Sequence, residues 1–354
     1  MLGLVQAVPY NTKLEAHGLT FRYTDAGHIL GSAMVEIWAD GFKVLFSGDI
    51  GNVESPILCK PAQHFGADAV LVESTYGPSR NEMLSVEAFG RKVMRVLDGG
   101  GAVLLPAFAL HKTQLLIYVL NRLKRDRVID PNVPVYADSR TGHAVTQIYR
   151  GYRDYYDPEA KTFGELFYRD RYREADVKET LRTHGLEPAI YLSTSGMMDY
   201  AGAPKHLLQM AGDAKNALCI VGWQAPESLG RKLERGEKHV RVPWETRGPH
   251  GLHREFRDLE VKLQVCRVEG FSSHARGQQI LDWLHNFCQV GAVYVVHGEQ
   301  ASATGLAEFA RKMGLNAVAP QRGQAFAVTA EQVKPGPVPA LPTGKPVGSA
   351  LTDQ

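Results

Sequence analysis

Cysteine is scarce in this chain of 354 residues, and its four cysteines stand far apart. Cys59, Cys219, Cys266 and Cys288 include no CxxC pair, which argues against a thiolate metal site, and their spacing does not resemble a disulfide framework. We therefore expect reduced cysteines, most of them buried, because free cysteine is usually a core residue.

Long apolar runs and a strong net charge are also missing. No apolar run is long enough to predict a membrane span, and the opening MLGLVQAVPYNTK lacks the basic-then-apolar order of a secretion signal. The formal net charge of +2 indicates no partner, so a nucleic acid would need a locally positive groove. With 44% hydrophobic and 22% charged residues, the composition is typical of a globular protein, which we expect to be cytoplasmic.

Residues 1–77 are predicted to form strands joined by short turns, with no helix before about residue 80. The segments LTFRYTDAG, AMVEIWADG and FKVLFSGD alternate or run apolar over strand lengths, and ADAVLVEST is a short run typical of a buried strand. A sheet must bury one face against other elements, so we expect the covering elements to come from elsewhere.

From about residue 84, predicted helices and strands alternate, as in βαβ units with a parallel sheet. Helices are predicted over 85–100, 112–125, 141–153 and 202–211, and strands over 102–107, 133–138, 188–194 and 216–222. Residues 242–258, rich in Pro, Gly, His and Arg, are predicted to be irregular. Together these predict an α/β domain over 78–272.

The last part of the chain is predicted to return to strand and helix before a tail. Residues 260–270 read as a strand pair or one bent strand, followed by a helix over 277–288, a buried strand over 292–299 and a helix over 302–314. A last short strand is predicted over 325–328. The Pro- and Gly-rich tail, 331–354, is expected to be disordered.

Four polar residues follow predicted strands, framed by glycine or small residues: His28, Asp49, His274 and His297. Strand ends are where open sheets display functional groups. Each residue alone fits a structural histidine or an ordinary Gly-Asp turn equally well. Together, imidazole and carboxylate suit zinc, manganese or iron.

The sequence motifs around these residues are specific. GHILGSA, FSGDIG, VESTYG, PAFAL, STSGMM, VGWQAPESLGRKL, FSSHA and VHGE, in this order, resemble the β-CASP family of metallo-β-lactamase-fold nucleases from residue 1 to about 330. The resemblance implies an α/β chain: an incomplete metallo-β-lactamase αββα sandwich, formed by 1–77 and 273–330, with an inserted β-CASP α/β cap domain over 78–272.

The resemblance also implies a site with two zinc ions, with manganese as an alternative metal. His28 matches a histidine on one zinc, Asp49 the carboxylate that bridges both, and His297 a histidine on the second. Glu73 matches a conserved acid behind the ligands, and His274 a histidine that faces the scissile phosphate. Two such cations can stabilise the attacking and leaving oxygens of one displacement, and we expect His274, oriented by Glu73, to protonate the leaving oxygen.

Three further residues are expected to contact the substrate phosphates. Ser195 and Gly196 lie in a turn between a strand and a helix, whose backbone N–H groups suit a phosphate, although an ordinary tight turn also fits. Lys112 begins a helix where the family usually has arginine, and keeps the positive charge without the bidentate geometry.

The implied function is zinc-dependent hydrolysis of RNA, most simply single-stranded, since His297 stands where family members acting on DNA commonly carry valine. The alternatives are a DNA nuclease of the same family and a non-catalytic RNA-binding relative. No membrane partner is expected, and a homodimer is left open.

Two departures from the family pattern bear on activity. The motif H-x-H-x-D-H, which supplies two ligands to each zinc, is absent from the sequence; we expect a truncated gene model, with a dedicated non-catalytic relative as the alternative. Arg276 stands where the family usually has aspartate, and its charge would lower the proton affinity of His274.

Two stretches interleave aromatic and basic residues, Tyr149–Tyr156 and Phe167–Arg173. Stacking together with phosphate contacts is how single strands are held. Amphipathic helices of the cap with solvated arginines fit the same pattern.

Overall fold

The computed structural model describes residues 5–78, 85–163, 173–174, 186–248, 251–268 and 270–326. Within these ranges the chain forms a seven-stranded sheet, a six-stranded sheet and a two-stranded hairpin. No described helix is long and apolar enough to cross a bilayer. The predicted tail and the stretch Phe167–Arg173 lie outside the described residues, apart from the backbone of Arg173.

The seven-stranded sheet joins the two ends of the chain. Its order is β1-β2-β3-β4-β5-β14-β15, antiparallel from β1 to β4 and parallel from β4 onward. The strands are β1 (Lys13–Ala16), β2 (Leu19–Asp25), β3 (Ala33–Ala39), β4 (Phe42–Phe46), β5 (Gly66–Val72), β14 (Gln289–Val295) and β15 (Asn316–Val318).

Two helices late in the chain cover one face of this sheet. Helices α7 (Gly277–His285) and α8 (Gln300–Lys312) bring Ile280, Trp283 and Leu306 against Met34 and Leu45 in one buried cluster. The covering elements thus come from far along the chain, because β14 pairs in parallel with β5 and its neighbouring helices follow it onto the sheet.

The six-stranded sheet is parallel throughout and has the order β13-β10-β6-β9-β7-β8. Its strands are β6 (Val103–Pro106), β7 (Val135–Ala137), β8 (Arg173–Glu174), β9 (Ile190–Ser193), β10 (Ala217–Ile220) and β13 (Gln264–Arg267). The accompanying helices are α1 (Val86–Asp98), α2 (Lys112–Arg125), α3 (Arg140–Gly151), α4 (Pro158–Thr162), α5 (Ala203–Met210) and α6 (Leu229–Glu234). Helix α2 is buried on nearly every side, as its apolar run LLIYVL requires. The predicted alternating α/β architecture is confirmed.

The prediction of an irregular segment over 242–258 is wrong. Strands β11 (His239–Gly248) and β12 (Gly251–Glu260) form a long antiparallel hairpin in register from His239↔Glu260 to Gly248↔Gly251. Val240 and Val242 face inward with period two and pack in the cluster that includes Leu207 of α5. The charged residues that flank them face solvent. The apolar alternation was therefore difficult to recognise in a segment made mostly of polar residues.

Two smaller expectations also need correction. The last strand is Asn316–Val318, where parallel pairing with β14 is available, and Ala325 and Phe326 lie outside any strand. Cys219 and Cys266 are buried on adjacent strands, but Cys59 is half-buried and Cys288, just after α7, is exposed. All four thiols are free, as expected.

Candidate metal centre and cleft

The loop before His28 and the loop after Asp49 touch through two glycines. A Cβ added to Gly51 would lie 2.1 Å from the carbonyl oxygen of Gly27, so a side chain there would force the loops apart. The Gly51 N–H donates to Ala26 O over 2.8 Å and holds this approach. The glycines in GHILGSA and FSGDIG therefore bring an imidazole and a carboxylate together.

His274 joins the same place from the far end of the chain. It forms an isolated antiparallel bridge with Gly51, and the Ala275 N–H donates to Ile50 O over 2.7 Å. The Asn52 N–H donates to Ser273 O over 2.9 Å on the other side of this bridge. The two hydrogen bonds of this bridge thus fix the FSSHA segment against the loop that carries Asp49.

His297 reaches the site from the end of β14. The Ser74 hydroxyl donates to Val296 O over 2.9 Å, and a Cβ on Gly298 would come within 2.4 Å of that hydroxyl oxygen. His297 itself has a φ of 52°, in the left-handed region that non-glycine residues seldom occupy. Such a conformation is kept at functional sites when the surroundings hold it in place.

The side chains meet at Asp49. His297 Nε2 lies 3.2 Å from Asp49 Oδ1, and His28 Nε2 lies 3.8 Å from Asp49 Oδ2. The donor atoms of His28, Asp49 and His274 all lie within 4.8 Å of one another. The structure thus brings together the four polar residues that the sequence placed after strands.

This donor set fits a divalent transition metal. It consists of imidazole nitrogens and a carboxylate, which suit zinc or manganese. Buried His28 leaves its Nδ1 without a hydrogen-bond partner among the described atoms. Burial and the neighbouring His274 lower the pKa of His28, which keeps its imidazole neutral, as a metal ligand requires.

Glu73 supports His274 from beneath. Glu73 is 1% exposed, and both of its carboxylate oxygens lie 3.2 Å from His274 Nδ1. Burial acts to raise the pKa of Glu73, but the hydrogen bond from His274 and the Ile50 N–H outweigh it, and the pKa of Glu73 is lowered. An ionised Glu73 accepts the His274 Nδ1 proton and leaves Nε2 for the cleft.

The side chains of His28, His274 and His297 open into a cleft of about 660 Å³ between the two large sheets. Sequence reasoning gave no role to several residues that line it, among them Thr75, Tyr76, Phe108, Leu110 and Trp223. Phe108 and Trp223 are 37% and 40% exposed, although both are large and apolar. They come two and three residues after the ends of β6 and β10, so an aromatic residue just beyond the end of a parallel strand was the signal that could have found them.

Lys112 lies in the wall of this cleft but is not free. Its side chain is buried, and the amine donates to the backbone carbonyl of Phe271, three residues before His274. Burial lowers the pKa of Lys112 to about 8. The expected phosphate contact therefore competes with a contact that positions the His274 segment.

The backbone N–H and the hydroxyl of Ser195 are both used within the turn that contains Ser195 and Gly196. The Ser195 N–H donates to Tyr200 O over 3.0 Å and its hydroxyl accepts from the Asp199 N–H, so the Ser195 amide is not available to cradle a phosphate. A Cβ on Gly196 would meet Phe108 at 3.0 Å. The turn thus lies behind the ring of Phe108, and supports the cleft wall.

Arg276 has an acidic partner that the sequence did not suggest. Its guanidinium lies 3.1 Å from Glu54 Oε2, so a carboxylate offsets its charge. Glu54 is 222 residues away in the chain, and sequence gave no sign of this pairing.

Comparison with known proteins finds two family models that match this chain and several proteins that are similar to it. The model of the Beta-Casp domain matches residues 113–233, and the model of the Zn-dependent metallo-hydrolase RNA specificity domain matches residues 258–320. The protein named Ribonuclease TTHA0252, from Thermus thermophilus, is 30% identical over 312 residues, covering 84% of this chain and 67% of that protein.

Two relatives come from Methanocaldococcus jannaschii. An RNase J-like protein is 29% identical and aligns with 82% of this chain and 66% of its own length. A protein named Transcription termination factor FttA is 30% identical and aligns with 82% of this chain and 46% of its own length. The chain thus spans about two thirds or less of the length of these relatives.

Proposed function

Because the chain belongs to the β-CASP family of metallo-β-lactamase-fold nucleases, we propose that it hydrolyses RNA phosphodiester bonds with zinc in the cleft between its two large sheets. One observation carries this proposal. Three histidines and a carboxylate, each from a separate segment, converge at a cleft whose opposite wall includes Gly222 and Trp223 from the range that the Beta-Casp model matches.

The residues that would hold metal are His28, Asp49 and His297. Asp49 lies between the two imidazoles, with one oxygen toward each, an arrangement that suits a carboxylate shared by two ions. Zinc held there would supply positive charge to a phosphodiester oxygen and make a water molecule more acidic. Further ligands are needed, because zinc sites usually use three or four protein ligands.

His274 is our candidate for the proton donor to the leaving sugar oxygen. Its Nδ1 is held by Glu73, which fixes the orientation of the ring, while Nε2 is left toward the cleft. Proton transfer by a positioned imidazole typically contributes about 100- to 10,000-fold in rate. Lys112 and the Phe271 carbonyl hold the backbone that leads to this histidine.

RNA is favoured as substrate by the matched RNA specificity domain model, which includes His274 and His297. Exposed Phe108 and Trp223 offer flat apolar surfaces on which unpaired bases can stack. A duplex would not present unpaired bases to these side chains. A single strand is therefore the expected form of the substrate.

The test is cleavage of a 5′-labelled single-stranded oligoribonucleotide, with the matched deoxyribonucleotide and with chelator. We expect RNA cleavage that requires zinc or manganese and falls by at least about 100-fold in Asp49→Asn. Asp40→Asn, at an exposed turn, is the matched control and should cut like the wild type. Preferential cutting of DNA would favour the alternative DNA nuclease, and RNA binding without cleavage would favour the non-catalytic relative.

The role of His274 is tested separately by measuring metal content and turnover in His274→Ala. We expect metal content to be retained and turnover to fall, with Glu73→Gln falling less. Loss of metal from His274→Ala would instead make His274 a ligand, which its distance to His28 and Asp49 also permits.

A further inference from the structure

A second cavity, of about 330 Å³, lies beside the metal-bearing loop and has no part in the proposed chemistry. We call it the tyrosine pocket. It is lined by Val8, Tyr10, Leu30, Gly31, Ile148, Tyr152 and Tyr155.

Hydrogen bonds and ring packing hold part of the wall of the tyrosine pocket in place, while another, apolar part of the wall is exposed to solvent. The Tyr10 hydroxyl donates to Ser32 O over 2.7 Å, and its ring meets Tyr155 edge to face at 5.6 Å. The Tyr155 carbonyl accepts from the Cys59 N–H over 3.0 Å. In contrast, Ile148 and Tyr152 are each 53% exposed, which is unusual for large side chains that already have apolar neighbours.

The chain around Tyr152 also carries positive charge. Arg150 and Arg153 stand on either side of it, at the end of α3 and the start of the following turn. Arg153 donates to the carbonyl of Lys161 over 3.3 Å, and Arg150 donates to the side-chain oxygen of Gln147 over 3.3 Å. An aromatic platform flanked by guanidinium groups is the combination that holds an unpaired nucleotide.

The tyrosine pocket continues from the cleft. His28 and Ile29 line the cleft, and the next two residues, Leu30 and Gly31, line the pocket. The distance along this segment is at most roughly 11 Å. The Leu30 N–H donates to the Tyr149 hydroxyl over 3.2 Å, which ties the segment to the helix that carries Ile148.

We propose that the tyrosine pocket binds an unpaired base of the RNA strand, one or a few nucleotides away from the bond that is cut. The base stacks on Tyr152 and packs against Ile148, while Arg150 and Arg153 attract the neighbouring phosphates. This inference rests on the proposed function, because it takes the ligand of the pocket to be the same strand that enters the cleft.

The experiment measures binding of a labelled single-stranded oligoribonucleotide by fluorescence anisotropy, with chelator present so that no cleavage occurs. Tyr152→Ala should weaken binding about tenfold, since stacking on one aromatic ring is typically worth that much. Tyr152→Trp keeps an aromatic ring at this position and should bind at least as tightly as the wild type. A misfolded variant would not give this result. Phe309→Ala, which removes an aromatic side chain 45% exposed on α8, is the matched control and should bind like the wild type.

A fluorescent base analogue locates the contact. An oligomer with 2-aminopurine near the cut site should change its fluorescence on binding to the wild type and much less with Tyr152→Ala. Equal affinity and equal fluorescence for wild type and Tyr152→Ala would overturn the pocket assignment while RNA cleavage by the wild type left the proposed function standing. Failure of the wild type to bind or cut RNA would contradict the proposed function, and the pocket assignment with it.

Discussion

Glu36 shows how a single charged residue is kept inside the seven-stranded sheet. Its side chain is fully buried on the face covered by α7 and α8, next to His64. Lys43 Nζ and the guanidinium of Arg22 each lie 2.5 Å from its oxygens. Burial acts to raise the pKa of Glu36, but hydrogen bonds from His64, Arg22 and Lys43 outweigh it and hold the pKa well below the ordinary value.

Glu36→Gln should destabilise the protein at neutral pH by about 3 kcal/mol, because it leaves Arg22 and Lys43 without their buried partner. The stabilisation by Glu36 is complete above the pKa of an unfolded glutamate, near 4.3, and declines as pH falls toward its lower folded value. The difference in free energy of unfolding between wild type and variant should therefore shrink below about pH 4. Urea unfolding at several pH values measures this difference in the free energy of unfolding.

Exposed Glu15→Gln on β1 is the control for this prediction and should have little effect at any pH. A difference between wild type and Glu36→Gln that stays constant from pH 7 to pH 3 would show that Glu36 is not held ionised by its partners.

The residues of the site could be predicted from the sequence better than the residues that contact them. His28, Asp49 and His297 could be found because each follows a strand of the seven-stranded sheet, and strand ends meet at one edge of a sheet. His274 could be found from the motif FSSHA before a helix. The contacts of Lys112 with Phe271 and of Arg276 with Glu54 could not, because each joins residues more than 150 positions apart in the chain. Such contacts depend on where the loops finally pack.

At the scale of elements, one hydroxyl connects helices of the six-stranded sheet to the loop that carries His28. The Tyr149 hydroxyl on α3 lies 2.8 Å from Nδ1 of His111, directly before α2, and accepts from the Leu30 N–H. Burial lowers the pKa of His111 to about 3, so its imidazole is neutral and accepts the hydroxyl proton. Tyr149 thereby fixes the loop two residues after His28.

Tyr149→Phe should keep the packing and lose this connection. We expect a loss of about 1–2 kcal/mol in the free energy of unfolding, from two buried hydrogen bonds, and a fall in RNA cleavage as the His28 loop loosens. Tyr200→Phe, which removes a hydroxyl from a half-exposed ring, is the control. Unchanged stability and cleavage in Tyr149→Phe would contradict this role.

Elements were predictable where the apolar period was clear. The buried run of α2 and the short strands of the six-stranded sheet could be read directly, since helices and strands alternate there. The hairpin of β11 and β12 could not, because only Val240, Val242 and a few others face the core and many of the remaining residues are charged. The strand Asn316–Val318 has only three residues and is defined by its pairing with β14.

At the scale of the whole molecule, the seven-stranded sheet has two unlike faces. The face away from α7 and α8 carries apolar side chains in adjacent register, of which many are only half-buried. One row across the strands is Tyr23, Val35, Phe46, Leu71 and Tyr294. A contiguous apolar face of this kind is a surface for association.

The purified protein should therefore bind the dye ANS and self-associate through this face. Ile37→Lys combined with Phe46→Lys should lower ANS fluorescence severalfold and shift light scattering toward the monomer, because two charges interrupt the apolar rows. Phe309→Lys, on exposed α8, serves as the control. ANS binding and apparent mass that do not respond to the paired substitution would place the association surface elsewhere.

The most direct test of a metal-dependent RNA hydrolase is the rate of single-stranded RNA cleavage as zinc is returned to chelator-treated protein. We predict no cleavage without zinc, a rate that rises and saturates at a fixed number of zinc ions per chain, and no recovery in Asp49→Asn. Cleavage that is independent of zinc, or equal in Asp49→Asn, would contradict the account, as would zinc binding that restores no cleavage.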